Sequence, residues 1–238
     1  MNRTSYVFDV DGTLTPSRGT MDPEFKEWFS EFCDNNLVYL VTGSDRPKTL
    51  EQIGSDVYNK CSRVYQCSGN EVWVQENTVR SSNWTLPVVA CDWLSTVLMD
   101  SQFPLRTGQH FEHRTGMCNF SVVGRSATIE QRKQYVKWDK LHHERDVVAS
   151  NFNYVFPEFQ ATVGGETGID IALKGSDKSQ ILRDFDDSNR IMFYGDAMHQ
   201  EGNDYPLAHA MASGKYGGQS FNVHNWEHTW ELIQHHGK

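Results

Sequence analysis

The chain has 238 residues, 38% of them hydrophobic, with 18 glycines and a formal net charge of −9. That length supports one large domain or two modest ones around a sizeable core, and the composition excludes a disordered chain. The acidic balance argues against nucleic acid or an anionic membrane surface as partner, because both need a basic footprint. No apolar run approaches the roughly 18 residues of a membrane helix. Asp9 and Asp11 fall where a secretory leader would need an apolar stretch. The glycosylation-like triplets at Asn2, Asn83 and Asn119 are therefore read as chance. Five cysteines, none in C-x-x-C spacing, point to reduced thiols and a cytoplasmic protein. The ten histidines are scattered. His142–His143 and His235–His236 read as polar-face or tail residues.

Ser5–Val10 reads as a buried strand ending in two acids. Asp22-Pro23 predicts an N-cap and first helical residue, with Phe25, Trp28, Phe29 and Phe32 at helical spacing. Leu37–Val41 predicts a strand, Pro47–Ile53 a helix, and Arg63–Cys67 and Glu71–Gln75 two strands around Ser68-Gly69-Asn70. This β-α-β-α-β opening is the pattern of a parallel sheet covered by helices.

The middle differs. Leu86–Leu98 reads as a helix. His110–Arg114 and Met117–Val123 read as a hairpin through Thr115-Gly116. Thr128 and Gln131 form a capping box opening one long helix to about Ala149. Phe159–Val163 and Ile169–Leu173 read as a second hairpin. The βα pattern then returns, with a helix near Asp177, a strand at Arg190–Tyr194, a helix after Asn203, a strand at Phe221–Val223, and a last helix carrying Trp226, Trp230 and Ile233. The expectation is an α/β core of residues 1–81 and 175–238, with a Rossmann-like parallel sheet and an α+β module inserted at 82–174.

Asp9-Val10-Asp11-Gly12-Thr13 sits where a strand gives way to a loop, the edge at which parallel sheets bind ligands. Residues two apart in an extended segment project to one side, and two carboxylates there call for a cation or a proton. A second apolar strand, Ile191–Tyr194, ends in Gly195-Asp196, with Asn203 and Asp204 shortly after. Hard oxygen ligands of this kind suit Mg²⁺. Thr42-Gly43-Ser44 offers hydroxyls and backbone N–H groups to a phosphate ahead of a helix. Lys178, in the first turn of its predicted helix, would neutralise nucleophile and phosphate if placed beside Asp9.

These four elements, in order, resemble the four motifs of the haloacid dehalogenase superfamily, with the insert in the position of a type IIB cap. The likeness extends to the eukaryotic-type phosphomannomutases. It is carried by Phe8 to Pro16 with Arg18, Gly43-Ser44-Asp45 with Glu51-Gln52, and Arg114 to Asn119 through Gly124-Arg125 to Glu130-Gln131-Arg132. Gly164-Gly165 with Asp170, Asp177-Lys178, and Gly195-Asp196 through Gly202-Asn203-Asp204 complete it. The resemblance implies Asp9 as the nucleophile that becomes an aspartyl phosphate and Asp11 as general acid/base with its carbonyl on Mg²⁺. It implies Asp9 and Asp196 as side-chain metal ligands, Thr42, Gly43, Ser44 and Lys178 around the transferring phosphate, and Asn203 and Asp204 behind them. It gives Arg18, Arg114, Arg125, Arg132 and Asp170 to the sugar phosphate, a hexose 1,6-bisphosphate as activator, and a homodimer formed through the caps.

The insert holds nine basic and ten acidic residues, a balance near −1, which leaves −8 of the −9 on the flanks. Arg114 and Arg125 flank one predicted hairpin and Arg132 follows, so all three can converge on one anion. A second phosphate clamp suits a mutase, whose bisphosphate intermediate binds either way round. Two departures keep other readings open. Gly168-Ile169-Asp170 lacks a hydroxyl that the family places on the sugar, and Tyr205 to Met211 lacks the acid of the family's ancillary cation loop. A sugar-phosphate phosphatase with the same nucleophile is the alternative. A catalytically silent sugar-phosphate sensor is the third reading, opposed by the intact Asp9, Asp11, Lys178 and Asp196.

Overall fold

The structure is a computed structural model and describes residues 4–17, 19–186, 190–200, 202–214 and 218–236. In chain order the elements are β1 (Thr4–Phe8), α1 (Pro23–Asn35), β2 (Leu37–Val41), α2 (Arg46–Lys60), β3 (Arg63–Gln66), β4 (Glu71–Val74), β5 (Asn77–Ser81), α3 (Val88–Asp100) and β6 (Phe111–Arg114). Then follow β7 (Met117–Phe120), α4 (Ile129–His142), α5 (Glu144–Val155), β8 (Phe159–Gly164), β9 (Gly168–Leu173), β10 (Arg190–Gly195), α6 (Tyr205–Ala212), β11 (Gly218–Asn222) and α7 (Trp226–His236). The chain divides into two compact units, residues 1–81 with 176–238, and residues 82–175.

The first unit is an α/β layer structure. Its seven strands run in the order β11-β10-β1-β2-β3-β4-β5. β11, β10, β1, β2 and β3 pair in parallel, and β4 and β5 close the edge antiparallel. The alternation of β1 explains why both faces are covered. Tyr6 and Phe8 pack with Phe25, Phe29 and Phe32 of α1 and with Ile53 and Val57 of α2. Val7 points the other way, among Val41, Phe193, Leu207 and Met211. The rings of Phe8, Tyr194 and Phe221 stack across three neighbouring strands at 4.8 Å each. Phe8 is fully buried; cutting it to alanine would cost about 3–5 kcal/mol.

The second unit is a four-stranded antiparallel sheet in the order β6-β7-β9-β8, with α3, α4 and α5. Cys118, Phe120, Ile169 and Ile171 pack inward against Tyr135, Val148 and Phe152 of the helices. The two hairpins form as expected, β6 with β7 and β8 with β9.

Four local expectations need correction. The helix expected to reach about Ala149 is two, broken at His143, which adopts a left-handed φ of 52°. The buried Asp139 carboxylate holds that break, accepting from the Arg145 backbone N–H at 3.0 Å and from its Nε at 2.8 Å. α2 continues to Lys60 past Gly54, whose φ of 80° interrupts the helical backbone just where the expected helix stops. The segment at Lys178 is a 3-10 run, Lys178–Asp184, rather than an α-helix. β5 was not expected: its five residues are largely exposed and lack apolar alternation.

Candidate active site

The chain crosses from strand to loop at Asp9, whose backbone N–H donates to Tyr194 O at 2.9 Å. A tight turn follows. Thr13, Leu14 and Thr15 all donate backbone N–H bonds to Val10 O. Gly12 makes the turn with a φ of 78°, and a Cβ there would collide with the Asp196 carboxylate. Gly195 has the same function for Asp204, whose carboxylate occupies the space of the missing side chain. Thus β1, β2 and β10 bring Asp9, Thr42 and Asp196 to the same, carboxyl end of the parallel strands.

At the centre lies Lys178, 1% exposed. Its ammonium donates to Asp9 Oδ1 at 2.6 Å and to Asp204 Oδ1 at 2.7 Å. Asp204 is completely buried, and its other oxygen accepts from the Ala197 backbone N–H at 3.1 Å. Asp9, Asp196 and Asp204 can each offer an oxygen within 4.8 Å of one another. Three carboxylates and one ammonium leave surplus negative charge, which suits a divalent cation with oxygen ligands. Asp204 therefore joins the carboxylate cluster directly.

The electrostatics follow. Burial pushes Asp9 up to about 7; Lys178 opposes the rise and Asp204 adds to it. Burial, with Asp204 next, also raises Asp196. Burial alone would lower Lys178, but Asp9 and Asp204 outweigh it and hold the ammonium above its usual range. The two shifts pull apart across one 2.6 Å contact. Lys178 keeps its charge because two carboxylates share it, and the surplus proton belongs to the carboxylates jointly. A bound cation would replace that proton.

Asp11 is held from the other side. Gln52 Nε2 donates to its Oδ1 at 2.8 Å and Ser44 Oγ to its Oδ2 at 3.3 Å. The Thr42 hydroxyl accepts the Ser44 backbone N–H at 3.0 Å, so within the Thr42-Gly43-Ser44 turn it is Ser44 that reaches Asp11. Asn203 approaches Gly43, its Nδ2 lying 4.0 Å from where a Cβ would stand.

In the second unit, Arg114 and Arg125 meet on one carboxylate, Glu112. Asn119 accepts from Arg125 Nη1 at 3.4 Å and donates to Asp170 Oδ1 at 2.6 Å. Arg132 pairs instead with Glu166, at 3.3 Å. Arg18 lies outside the described residues. Gln52 and Glu112 are the participants that sequence reasoning did not assign. Gln52 stood in the sequence only as part of the Glu51-Gln52 pair that carries the family likeness, without a role; its other signal was a polar residue beside Ile53 on a helix whose neighbours are core.

A haloacid dehalogenase-like hydrolase from Bacteroides thetaiotaomicron has the same fold, with a TM-score of 0.60, 11% identity and 99% of both chains covered. That likeness gives the chain a haloacid dehalogenase-like fold. The sequence profile described as eukaryotic phosphomannomutase matches residues 25–220. A phosphomannomutase of Spinacia oleracea is 31% identical over 84% of each chain. One from Glycine max is 32% identical over 84% of this chain and 85% of its own. The chain belongs to the eukaryotic phosphomannomutase family.

Proposed function

We propose that the chain interconverts mannose 6-phosphate and mannose 1-phosphate through an aspartyl phosphate on Asp9. The observation that carries this reading is the buried Lys178 bridging Asp9 and Asp204 at 2.6 and 2.7 Å, with Asp11 two residues along the same turn. Asp9 attacks phosphorus and the bond to the sugar oxygen breaks. Asp11 gives that oxygen its proton. It later takes one from the hydroxyl that receives the phosphoryl group back. Gln52 and Ser44 keep Asp11 aimed during both transfers. Lys178 offsets charge on the phosphoryl oxygens, and Ser44 with the Gly43 backbone lines their side of the turn.

Asp9, Asp196 and the Asp11 carbonyl would hold Mg²⁺, with Asp204 beside them. The donor set fits, since it is all oxygen and short of positive charge. When bound, Mg²⁺ supplies charge neutralisation for carboxylate and phosphate together. Residues 82–174 act as the cap that sets substrate choice, with Arg18, Arg114, Arg125, Arg132 and Asp170 gripping the sugar phosphate. A hexose 1,6-bisphosphate primes Asp9. A cytosolic location and association of two copies through the cap belong to the same reading. Among the described residues the five cysteines form no disulfide.

The test is incubation with mannose 1-phosphate and Mg²⁺, with and without a hexose 1,6-bisphosphate, following mannose 6-phosphate and free phosphate separately. Mannose 6-phosphate stimulated by the bisphosphate is the expected product. Free phosphate alone would make the enzyme a phosphatase.

A further inference from the structure

The second unit carries a polar row on one sheet face. Glu112 of β6 stands opposite Asn119 of β7, and Asn119 stands opposite Asp170 of β9. Directly opposed residues share a face, as do residues two apart on one strand, so Arg114 joins the row beside Glu112. Arg125 enters from the loop after β7. Gly124, at a φ of 88°, turns the chain, and the Arg125 backbone N–H is fixed on Gln109 O at 2.7 Å.

Glu112 spends one oxygen on each arginine. Oε1 takes Arg114 through Nε at 2.7 Å and Nη2 at 2.6 Å, and Oε2 takes Arg125 through Nε. Each guanidinium has five N–H donors in a rigid fork. Glu112 takes Nε and Nη2 of Arg114 and Nε of Arg125, and Asn119 takes Nη1 of Arg125, so N–H groups of both forks remain for an anion. Two guanidiniums and one carboxylate carry a net single positive charge. Without the carboxylate the forks would repel, and each would recover its rotamer freedom.

As a stability device the arrangement is weak. The three side chains are 31–42% exposed, and solvent screens ion pairs at that exposure. Its geometry is better explained by what it does to the arginines.

We propose that Glu112 is a positioning residue that sets Arg114 and Arg125 as a preformed phosphate fork. This rests on the reading that those arginines hold the sugar phosphate. Preorganisation lowers the ordering that the substrate must impose, so the effect belongs in KM.

The test is steady-state kinetics with mannose 1-phosphate on the full chain, with Tm followed in parallel. Glu112→Gln is expected to raise KM about ten-fold with kcat within about two-fold and Tm nearly unchanged. Glu112→Asp keeps the charge but shortens the reach, and is expected to raise KM about three-fold. Should the Gln variant fail to fold, that rise decides the matter alone. The double variant Glu112→Gln with Arg125→Ala should lose less than the product of the two single losses, because part of what Glu112 does runs through Arg125. An unchanged or lowered KM in Glu112→Gln would overturn the proposal, since the carboxylate would then be idle or competing with substrate. Fully additive losses would overturn it too. If Arg125→Ala itself left KM unchanged, the fork reading would fall along with Glu112's role. A normal Arg125 effect with a silent Glu112 would remove only the latter.

Discussion

Lys178 and Asp204 meet at 2.7 Å with side-chain exposures of 1% and 0%. Asp9 shares the same ammonium at 2.6 Å. Removing the ammonium that two buried carboxylates share strands both. Lys178→Met should therefore cost about 3–5 kcal/mol of stability as well as turnover. Urea denaturation in the presence of a chelator measures it; a loss below about 1 kcal/mol would mean that water or another group already compensates the carboxylates.

The pH dependence has a definite sign. Asp9 sits at about 7 in the folded chain, above the 3.8 of an ordinary aspartate, because of burial. Between those values the folded state binds the extra proton, and that advantage is lost as pH rises through about 7. Asn at this position never ionises and leaves Lys178 matched with Asp204. In metal-free protein, Asp9→Asn should gain stability relative to the parent as pH rises from about 4 to about 7, and the difference should level off above that. A difference that stays constant across that range would contradict the raised value.

A cation at the cluster replaces that proton. Mg²⁺ added at about pH 6.5 should release protons, read by calorimetry in buffers of different ionisation enthalpy. Chelation should silence turnover while the helical circular dichroism persists, because the core packs around Phe8 and Val7 independently of the carboxylates. Loss of helix on chelation would assign the metal a structural role.

Gln52 separates function from stability. Its Nε2 donates to Asp11, yet its buried Oε1 has no hydrogen-bond partner among the described residues. Gln52→Leu removes both the useful donor and the unpaired acceptor. Stability should change by less than about 1 kcal/mol, while kcat should fall roughly ten- to a hundred-fold as Asp11 loses its aim. Equal loss of stability and rate would make Gln52 a packing residue.

What was legible in the sequence was whatever depends on neighbours along the chain. The apolar run before Asp9 and the one before Asp196 announced β1 and β10, and Asp22-Pro23 announced the start of α1. The break at His143 was hidden because no Gly or Pro marks it; Asp139 and Arg145 make it through side chains. β5 was hidden because an exposed edge strand has no apolar periodicity to read. The partners of the site residues were hidden for a third reason. Gln52 lies 41 positions from Asp11, and only the packing of α2 on the sheet brings them together. Three arginines in sequence likewise promised a single cluster, whereas Glu112 gathers two and Glu166 holds the third.

In the proposed reaction Asp9 carries the phosphoryl group during turnover. Enzyme primed with a hexose 1,6-bisphosphate and Mg²⁺ can be quenched and treated with borohydride, which reduces an aspartyl phosphate to homoserine. Peptide mass spectrometry should then find homoserine at position 9 in the wild-type chain and none in Asp9→Asn, which should also retain less than about a thousandth of the rate. Homoserine at another aspartate, or an Asp9→Asn variant that turns over freely, would mean that Asp9 is not the nucleophile.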